Sequence, residues 1–246
     1  MAEVTNFRSS IYDQYSSVMH DRGEAFDIDA ARRWGKAYDY FLRGWLPENK
    51  DAAIADVACG CGQLLLFFKD RGFAQIAGVD VSPPQIKLAR QVIDCVEEQD
   101  VLTFLAERPD SFDLITGMDI IEHLPKEVGL EFLRECHSAL RPGGRLILQT
   151  PNLDSPLGPS VRYGDFTHET GFTPDILERL MRFSGFEDIK PRELGPVRRG
   201  YSLASSVRYV AWRALRLAIQ LFNTVETGAR GSGVHSRVFL ISGRKS

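Results

Sequence analysis

The feature that most constrains this chain is a glycine turn between a short apolar run and an apolar helix. Residues 53–58 are apolar apart from Asp56, Gly60 and Gly62 follow in Gly-x-Gly spacing, and residues 63–68 are again mostly apolar. The first run predicts a buried strand, and glycine permits both the positive φ of a tight turn and the close approach of a ligand. The N–H groups that begin the next helix would face that ligand. The sequence therefore predicts a strand–turn–helix binding site.

The spacing around this turn favours an adenosine over a dinucleotide. A dinucleotide fingerprint needs a third glycine at position 65, which is Leu65, and a phosphate loop needs Gly-Lys-Ser/Thr, whereas Gly62 precedes Gln63. Asp80 ends the next apolar run, twenty residues after Gly60, where a carboxylate can accept hydrogen bonds from ribose hydroxyls. The pattern thus indicates an adenosine without phosphates and counts against a dehydrogenase.

Four motifs resemble those of class I S-adenosylmethionine-dependent methyltransferases, in the order and spacing of that family. They are the glycine turn, the next strand end, a fourth strand with its loop, and a turn into a fifth strand, at residues 56–62, 79–82, 112–124 and 140–148. The alternation of strands and helices itself predicts a parallel, doubly wound α/β sheet. The resemblance implies a mostly parallel, seven-stranded Rossmann-like sheet with N-terminal helices and a C-terminal helical insertion. It also implies S-adenosylmethionine as methyl donor and S-adenosylhomocysteine as product.

The resemblance places the cofactor at the carboxyl ends of the first four strands, where open α/β sheets bind their ligands. Asp80 would bind the ribose and Asp100 the adenine amino group. Asp100 precedes an apolar run and could cap a helix in the same position. The residues expected at the cofactor are Asp56, Ala58, Gly60, Gly62, Asp80, Val81, Asp100, Met118 and Asp119.

Length and charge limit the organisation and the partners of the chain. With 246 residues, 43% of them apolar, it can bury one full core with additions. We expect an N-terminal helical cap at 1–50 and a methyltransferase domain at 51–246, with an acceptor loop at 151–172 and a helical insertion at 201–228. The formal net charge of −3 provides no basic footprint, so nucleic acid is not an expected partner.

The cysteines and the N-terminal residues indicate the compartment. Cys59, Cys61, Cys95 and Cys136 lack the paired spacing of a metal site, which favours reduced thiols in an intracellular protein. The first residues contain no apolar signal core, and no stretch approaches the roughly 20 apolar residues of a membrane span. We therefore expect a cytoplasmic protein without a transmembrane segment. In the N-terminal cap, the sequence fits two roles for Tyr12 and Tyr15 equally well: a lid over the cofactor, or packing against the core.

Two histidines are candidates for the base that methyl transfer to a hydroxyl requires. His123 follows the predicted fourth strand, and His168 lies in the long loop after the fifth strand together with Asp165. Loops of this length in compact domains often bind ligands. We hypothesise that Asp165 and His168 bind and deprotonate the acceptor, with His123 as the competing base. A loop held by its own hydrogen bonds is the structural alternative.

A metal ion is a second way to handle an acceptor hydroxyl. Asp119, Glu122 and His123 form an Asp-x-x-Glu-His run, and Mg²⁺ bound by such carboxylates could hold a diol. A similar run occurs in quinone-precursor O-methyltransferases that use Mg²⁺ and in many family members that need no metal. We favour the metal-free interpretation and leave the metal ligands unassigned.

The acceptor loop suggests the kind of acceptor. The loop and the helical insertion are similar to those of bacterial sugar and polysaccharide O-methyltransferases. Tyr163, Asp165, Phe166, His168 and Glu169 supply acidic and aromatic groups that suit sugar hydroxyls and sugar faces. We therefore expect a sugar or glycan acceptor in polysaccharide biosynthesis. The alternatives are a small-molecule O- or N-methyltransferase of the quinone-precursor or natural-product type and a binding module without turnover, although the intact glycine turn counts against the latter.

Residues 207–222 predict an amphipathic helix. Arg213, Arg216 and Gln220 share one face, and apolar residues cover most of the rest. A core helix, a dimer face and a membrane-surface helix all fit this pattern. The wide apolar surface favours burial in the protein or against a partner, while a homodimer and membrane-surface contact stay open.

Overall fold

The computed structural model describes residues 25–198 and 201–246. The two tyrosines of the expected cap, Tyr12 and Tyr15, lie outside these ranges, as does His20. The first described helix, α1 (Ile28–Phe41), begins where the Asp27 carboxylate accepts the Ala30 N–H at 2.8 Å, an N-cap that satisfies one of the unpaired donors of the first turn.

A seven-stranded sheet forms the centre of the molecule and confirms the predicted fold class. The strand order is β3-β2-β1-β4-β5-β7-β6, and β7 alone is antiparallel to its neighbours. The central strands are buried on both faces, as parallel strands between helical layers are. The strands are β1 (Ile54–Val57), β2 (Ile76–Asp80), β3 (Val96–Glu98), β4 (Phe112–Met118), β5 (Leu140–Pro151), β6 (Phe186–Glu193) and β7 (Val238–Lys245).

Helices cover both faces of this sheet and are joined to it by short connections. A 3₁₀ turn, Ile121–His123, follows β4. Side chains cap three of the later helices, Asp100 at α4, Thr173 at α7 and Ser202 at α8. The remaining helices are α2 (Gln63–Asp70), α3 (Pro83–Ala89), α4 (Val101–Ala106), α5 (Lys126–Ala139), α6 (Gly158–Arg162), α7 (Pro174–Phe183) and α8 (Leu203–Thr227).

The fifth strand begins earlier than the sequence indicates. Pro142 and two glycines predict a turn before a strand at Arg145, yet β5 starts at Leu140 immediately after α5. Gly143 has a φ of +78° and the pairing with β4 is irregular between Phe112 and Leu114. The turn residues are therefore absorbed as an irregularity within one long strand, a place where glycine is common.

The strand order reverses between β1 and β4, and this reversal positions the site. The chain runs outwards from β1 to β3 on one side and from β4 to β5 on the other. At such a point the loops that leave the carboxyl ends of the two adjacent strands turn in opposite directions and open a crevice. Every residue expected to contact the cofactor lies in or near these strand ends.

Helix α8 lies within the expected helical insertion, and its orientation excludes burial in the protein, one of the two favoured interpretations, while packing against a partner stays open. Helix α8 turns polar residues such as Ser205 and Arg216 towards the protein, whereas Leu217, Leu221 and Phe222 are exposed. The apolar surface is therefore not buried in the core of this chain. No helix within the described ranges is long and apolar enough to cross a membrane.

Candidate functional site

The glycine turn between β1 and α2 is a strained, tightly tethered loop. Ala58, Gly60 and Gly62 have φ values of +54°, +53° and +84°. Glycine adopts a positive φ without steric strain, whereas Ala58 is strained in this conformation. A Cβ atom on Gly62 would stand 3.2 Å from the Ala89 side chain, so α3 packs directly against the turn. The turn therefore has the positive-φ conformation that its glycines predict, and ligand contact there stays a prediction.

Asp80 fixes the turn from the end of β2. Its two carboxylate oxygens accept the Gly60 N–H at 2.8 Å and the Ser82 N–H at 2.9 Å. Burial raises the pKa of Asp80, and these backbone hydrogen bonds oppose the rise. A carboxylate held this way still has lone pairs for ribose hydroxyls, because each oxygen can accept a second bond.

Two buried polar atoms near Asp80 lack partners. Within the described residues, Ser82 Oγ and Gln85 Oε1 accept and donate no hydrogen bond. Gln85 Oε1 lies 3.8 Å from the position of a Cβ on Gly60, so it is close to the ligand-facing turn. Buried polar groups are rarely left unsatisfied, and a polar ligand in the crevice would satisfy them. No sequence pattern singles out Gln85, since its position depends on how α3 packs.

Asp56 lies beneath the turn and bonds within the sheet. Its carboxyl accepts the Thr116 hydroxyl of β4 at 2.6 Å, and its side chain is almost completely buried. Burial raises the pKa of Asp56 to about 7. The residue therefore supports the two strand ends that form the crevice.

Asp119 directly follows the last residue of β4, at the carboxyl edge of the sheet, and has a φ of +56°. Its carboxylate accepts the Gln149 amide at 2.8 Å, and the Gln149 oxygen accepts the Tyr38 hydroxyl from α1. Burial raises the pKa of Asp119, and the bond from Gln149 opposes that rise. Strained non-glycine residues such as Ala58 and Asp119 are concentrated at functional sites.

The remaining expected cofactor residues lie along the same edge. Val81 directly follows β2 and is exposed, while Met118 ends β4 and is half-buried. Asp100, between β3 and α4, accepts the backbone N–H groups of Leu102 and Thr103 at 3.0 and 3.1 Å. The capping role of Asp100 is therefore present, and the carboxylate stays on the side where the adenine is expected.

The acceptor loop is attached to the 3₁₀ turn after β4. The backbone N–H groups of Glu169 and Thr170 donate to the Glu122 carbonyl at 2.7 and 3.0 Å, and the Thr170 hydroxyl donates to the Leu124 carbonyl. These bonds join segments that are more than forty residues apart in sequence. The loop is consequently held over the carboxyl end of β4, beside the crevice.

A hydrogen-bonded chain links Asp165, Thr167 and His123. Thr167 Oγ1 lies 2.6 Å from the Asp165 carboxylate and 2.9 Å from His123 Nδ1. The threonine has one hydroxyl proton, and an ionised carboxylate can only accept, so that proton points to Asp165. His123 Nδ1 must then donate to Thr167, which leaves the lone pair of the imidazole on Nε2. Thr167 is a residue that sequence reasoning missed.

His168 lies against His123, with ring centroids 4.7 Å apart in an edge-to-face arrangement. Its Nδ1 is 3.1 Å from the Arg162 carbonyl, and since a carbonyl only accepts, Nδ1 carries the proton. The lone pair of His168 is again on Nε2. The structure therefore brings His123, His168 and Asp165, the three predicted catalytic residues, into one cluster.

Glu122 closes the buried side of this cluster. One oxygen of its carboxyl accepts the Thr150 hydroxyl at 3.0 Å, and the other has no hydrogen-bond partner in the described part of the chain. Complete burial raises the pKa of Glu122 well above its usual range, and the nearby Asp119 raises it further. The Glu122 carboxyl therefore keeps its proton to a higher pH than an exposed glutamate does.

The metal donors that the fold assembles differ from those expected. Ligand atoms of Glu122, His123 and His168 lie within 4.8 Å of one another, while the Asp119 carboxylate is bound to Gln149. Two imidazoles and a single carboxyl do not suit Mg²⁺, which prefers oxygen ligands, and would suit a zinc-like ion better. The donor set thus does not fit the magnesium ion suggested by the sequence.

Comparisons with known proteins agree with this architecture. The family model described as a methyltransferase domain matches residues 26–190. A ubiquinone biosynthesis O-methyltransferase of Xanthomonas euvesicatoria pv. vesicatoria is 38% identical over 162 residues, which are 61% of this chain and 64% of the relative. One of Xanthomonas campestris pv. campestris strain B100 is 38% identical over 107 residues, 41% of this chain and 44% of the relative. The matches therefore span less than two thirds of these relatives.

Solved structures show the same fold at low identity. A SAM-dependent methyltransferase of Archaeoglobus fulgidus has a TM-score of 0.63 at 19% identity and covers 96% of this chain and 99% of its own. A Haloferax volcanii methyltransferase in complex with the Trm112 activator has a TM-score of 0.66 at 17% identity, covering 95% and 96%. The names of the sequence relatives match the quinone-precursor alternative and give no support to the expected role in polysaccharide biosynthesis.

Proposed function

This chain belongs to the methyltransferase domain family and has the fold and cofactor of the S-adenosylmethionine-dependent methyltransferases, and on that premise we propose that it methylates a phenolic hydroxyl of a quinone-precursor-type acceptor. The observation that carries the proposal is the hydrogen-bonded chain from Asp165 through Thr167 to His123, which follows β4 at the edge of the sheet where the glycine turn also lies. The relatives named for ubiquinone biosynthesis O-methylation support the acceptor class.

The proposed roles follow from the proton positions. S-adenosylmethionine supplies the methyl group from its sulfonium, with Asp80 at the ribose and Asp100 at the adenine. Nε2 of His123 accepts the proton of the acceptor hydroxyl as its oxygen takes the methyl group in line. The imidazolium that results is stabilised by Asp165 through the Thr167 hydroxyl. His168, whose lone pair is also on Nε2, binds the acceptor beside it.

A phenol suits a histidine base better than a sugar hydroxyl does. The pKa of a phenol is about 10, as in tyrosine, and that of histidine is about 6.5. The pKa of an alkyl hydroxyl lies much further from that of histidine, so the proton transfer would be less favourable. General-base assistance works best when the two values are close. The metal-free cluster therefore favours an acidic, phenolic acceptor.

An apolar groove beside the cluster supports the same acceptor class. It has a volume of about 410 Å³ and its lining includes Ile121, Leu124, Leu133, Phe172 and Leu180. Ile121 and Leu124 flank Glu122 and His123 in the chain, so the groove runs along the same 3₁₀ turn, although the side chains of Glu122 and His123 do not line it. Apolar walls suit the body of an aromatic or alkylated acceptor and leave most hydroxyls of a sugar without partners.

A sugar or glycan hydroxyl is the second candidate, because of two aromatic side chains on the acceptor loop. Tyr163 and Phe166 are 79% and 81% exposed and lie beside Asp165 in sequence. Exposed aromatic rings next to acidic groups are the parts from which a carbohydrate site is built, since the rings stack on sugar faces and the carboxylates bind hydroxyls.

Transfer of labelled methyl from S-adenosylmethionine to catechols, glycosides and amines distinguishes these functions. We expect label on a catechol oxygen, both with and without EDTA. Binding of S-adenosylhomocysteine in the same preparation is the control for an intact cofactor site. Label on glycosides and not on catechols would support the second candidate, a sugar or glycan hydroxyl. Label on amines alone would exclude O-methylation as the function.

A further inference from the structure

Helix α8 contacts the protein with a mixed face, in which Ser205 and Arg216 lie beside the half-buried Trp212 and Ile219. The Ser205 hydroxyl donates to the Val197 carbonyl at 2.8 Å, and Arg216 forms an ion pair with Glu193 at 3.1 Å. Two turns later, the Asn223 amide donates to the Ala229 carbonyl at 3.1 Å. A helix on a protein surface normally packs its most apolar face against the core, whereas most large apolar side chains of α8 lie on its exposed side.

The apolar side of α8 consequently points away from the protein. Eight of its large apolar side chains are exposed, from 56% for Leu215 to 83% for Leu203, whereas Trp212 and Ile219 are half-buried. Spacings of three, four and seven residues place most of them in one continuous stripe along 25 residues of helix. Monomeric proteins rarely expose a contiguous apolar surface of this length without a partner for it. The exposed members are Leu203, Val207, Val210, Leu215, Leu217, Leu221, Phe222 and Val225.

The charge around this stripe is strongly positive, although the whole chain carries −3. At 100° per residue, Arg208 and Arg213 fall on opposite borders of the stripe, and both are exposed. The helix contains no acidic residue before Glu226. The exposed arginines in the described part of this segment are Arg198, Arg208, Arg213 and Arg230, whereas Arg216 pairs with Glu193.

The helix lies at the same edge of the sheet as the candidate site. It connects the end of β6 to the start of β7, where Val238 pairs with Pro151 at the carboxyl end of β5. The segment after the helix is bound to the acceptor loop, because the Ser232 hydroxyl donates to the Asp154 carboxylate at 2.9 Å. A surface that covers α8 would therefore face the edge at which the crevice opens.

We propose that α8 binds an anionic lipid surface. The apolar stripe lies at the boundary of the acyl chains, and Arg208 and Arg213 reach the lipid phosphates on either side of it, as in interfacial amphipathic helices. Charge decides against a second copy of this chain as the occupant. Two such stripes packed together bring these arginines near each other with no acidic partner before Glu226, and like charges flanking a helix pair oppose association.

Flotation with vesicles tests the proposal without reference to methyl transfer, so its failure is separate from that of the proposed function. Wild-type protein is mixed with phosphatidylcholine vesicles, with or without phosphatidylglycerol, at low and high salt. We expect binding to the anionic vesicles that weakens with salt. Leu217→Gln/Leu221→Gln weakens it by at least about tenfold, and Arg208→Gln/Arg213→Gln by about fivefold per arginine.

A matched pair of phenylalanines supplies the control. Phe222 on α8 and Phe183 at the end of α7 are each 69% exposed, so neither substitution to glutamine removes core packing. Only Phe222→Gln reduces vesicle binding if the proposal is correct. Equal effects of the two substitutions, or no binding to anionic vesicles, overturn it. The third outcome is a dimer that is detected by light scattering and dissociated by Leu217→Gln/Leu221→Gln, in a protein that does not bind vesicles. This outcome assigns the stripe to a second copy of the chain instead.

Discussion

At the scale of single residues, the positions of the imidazole protons decide which histidine of the candidate site can act as the base. His123 and His168 both carry their lone pair on Nε2, the first because Thr167 accepts from its Nδ1 and the second because the Arg162 carbonyl does. Only the first is followed by a carboxylate, since Thr167 donates onward to Asp165. We therefore assign the base to His123 and acceptor binding to His168, a reversal of the order favoured from the sequence.

Thr167→Val tests that link directly. Valine keeps the shape of threonine but removes the hydroxyl, so His123 loses its connection to Asp165. We expect kcat to fall by roughly tenfold or more, as part of the general-base contribution of about 10²–10⁴, with the KM for S-adenosylmethionine unchanged. Thr167→Ser keeps the hydroxyl and is the control that should retain most activity. Equal kcat values for the valine and serine variants would show that the hydroxyl carries no catalytic role.

Asp56→Asn tests the buried carboxyl beneath the glycine turn. Its pKa is about 7 in the folded protein and 3.8 as the model-compound value, so the unfolded state loses this proton first as pH rises. The contribution of Asp56 to stability is thus fully present below about pH 4. It decreases between about pH 4 and about pH 7, with a slope of at most about 1.4 kcal/mol per pH unit. Asparagine still accepts the Thr116 hydroxyl but does not titrate.

The measurement is urea unfolding of both proteins at several pH values from 4 to 7. We expect the free energy of unfolding of the wild type to fall relative to that of Asp56→Asn as pH rises. Parallel curves over this range would mean that Asp56 is ionised in the folded protein at much lower pH.

At the scale of elements, α1, β5 and the end of β4 are coupled by one hydrogen-bonded chain from Tyr38 through Gln149 to Asp119. Gln149→Leu removes both bonds and leaves Asp119 without its amide donor, which raises the pKa of Asp119 further. We expect affinity for S-adenosylhomocysteine to fall several-fold and stability to fall by about 1–3 kcal/mol.

Tyr38→Phe is the matched control because it breaks the contact to α1 and keeps the bond between Gln149 and Asp119. Calorimetric titration with S-adenosylhomocysteine should then give nearly wild-type affinity for Tyr38→Phe. Wild-type affinity for Gln149→Leu as well would exclude Asp119 from the cofactor site.

Features that depend on residues nearby in the sequence were predictable, and features that depend on residues far away in the sequence were not. The glycine turn and Asp80 are read from local spacing, and the structure joins Gly60 to Asp80. Thr167 and Gln149 gain their roles from partners 44 and 111 residues away, which no local pattern encodes. The orientation of α8 was missed for a related reason, since an amphipathic pattern shows that a stripe exists but not on which side the rest of the protein lies.

At the scale of the whole molecule, the cluster beside the crevice operates without a magnesium ion in our account. Glu122 is buried, burial raises its pKa, and one of its oxygens accepts the Thr150 hydroxyl, so it is a poor ligand for a hard cation. We expect turnover on a catechol to survive exhaustive chelation. Loss of turnover that added Mg²⁺ restores would contradict this and return the chemistry to Asp119, Glu122 and His123.

The most direct measurement is the rate of methyl transfer to a catechol by His123→Ala, compared with His168→Ala and the wild type at saturating S-adenosylmethionine. Our account predicts that His123→Ala loses about 10²–10⁴ in kcat while it binds S-adenosylhomocysteine as the wild type does. His168→Ala should mainly raise the KM for the catechol. A His123→Ala enzyme with full turnover and an intact cofactor site would contradict the assignment of the base.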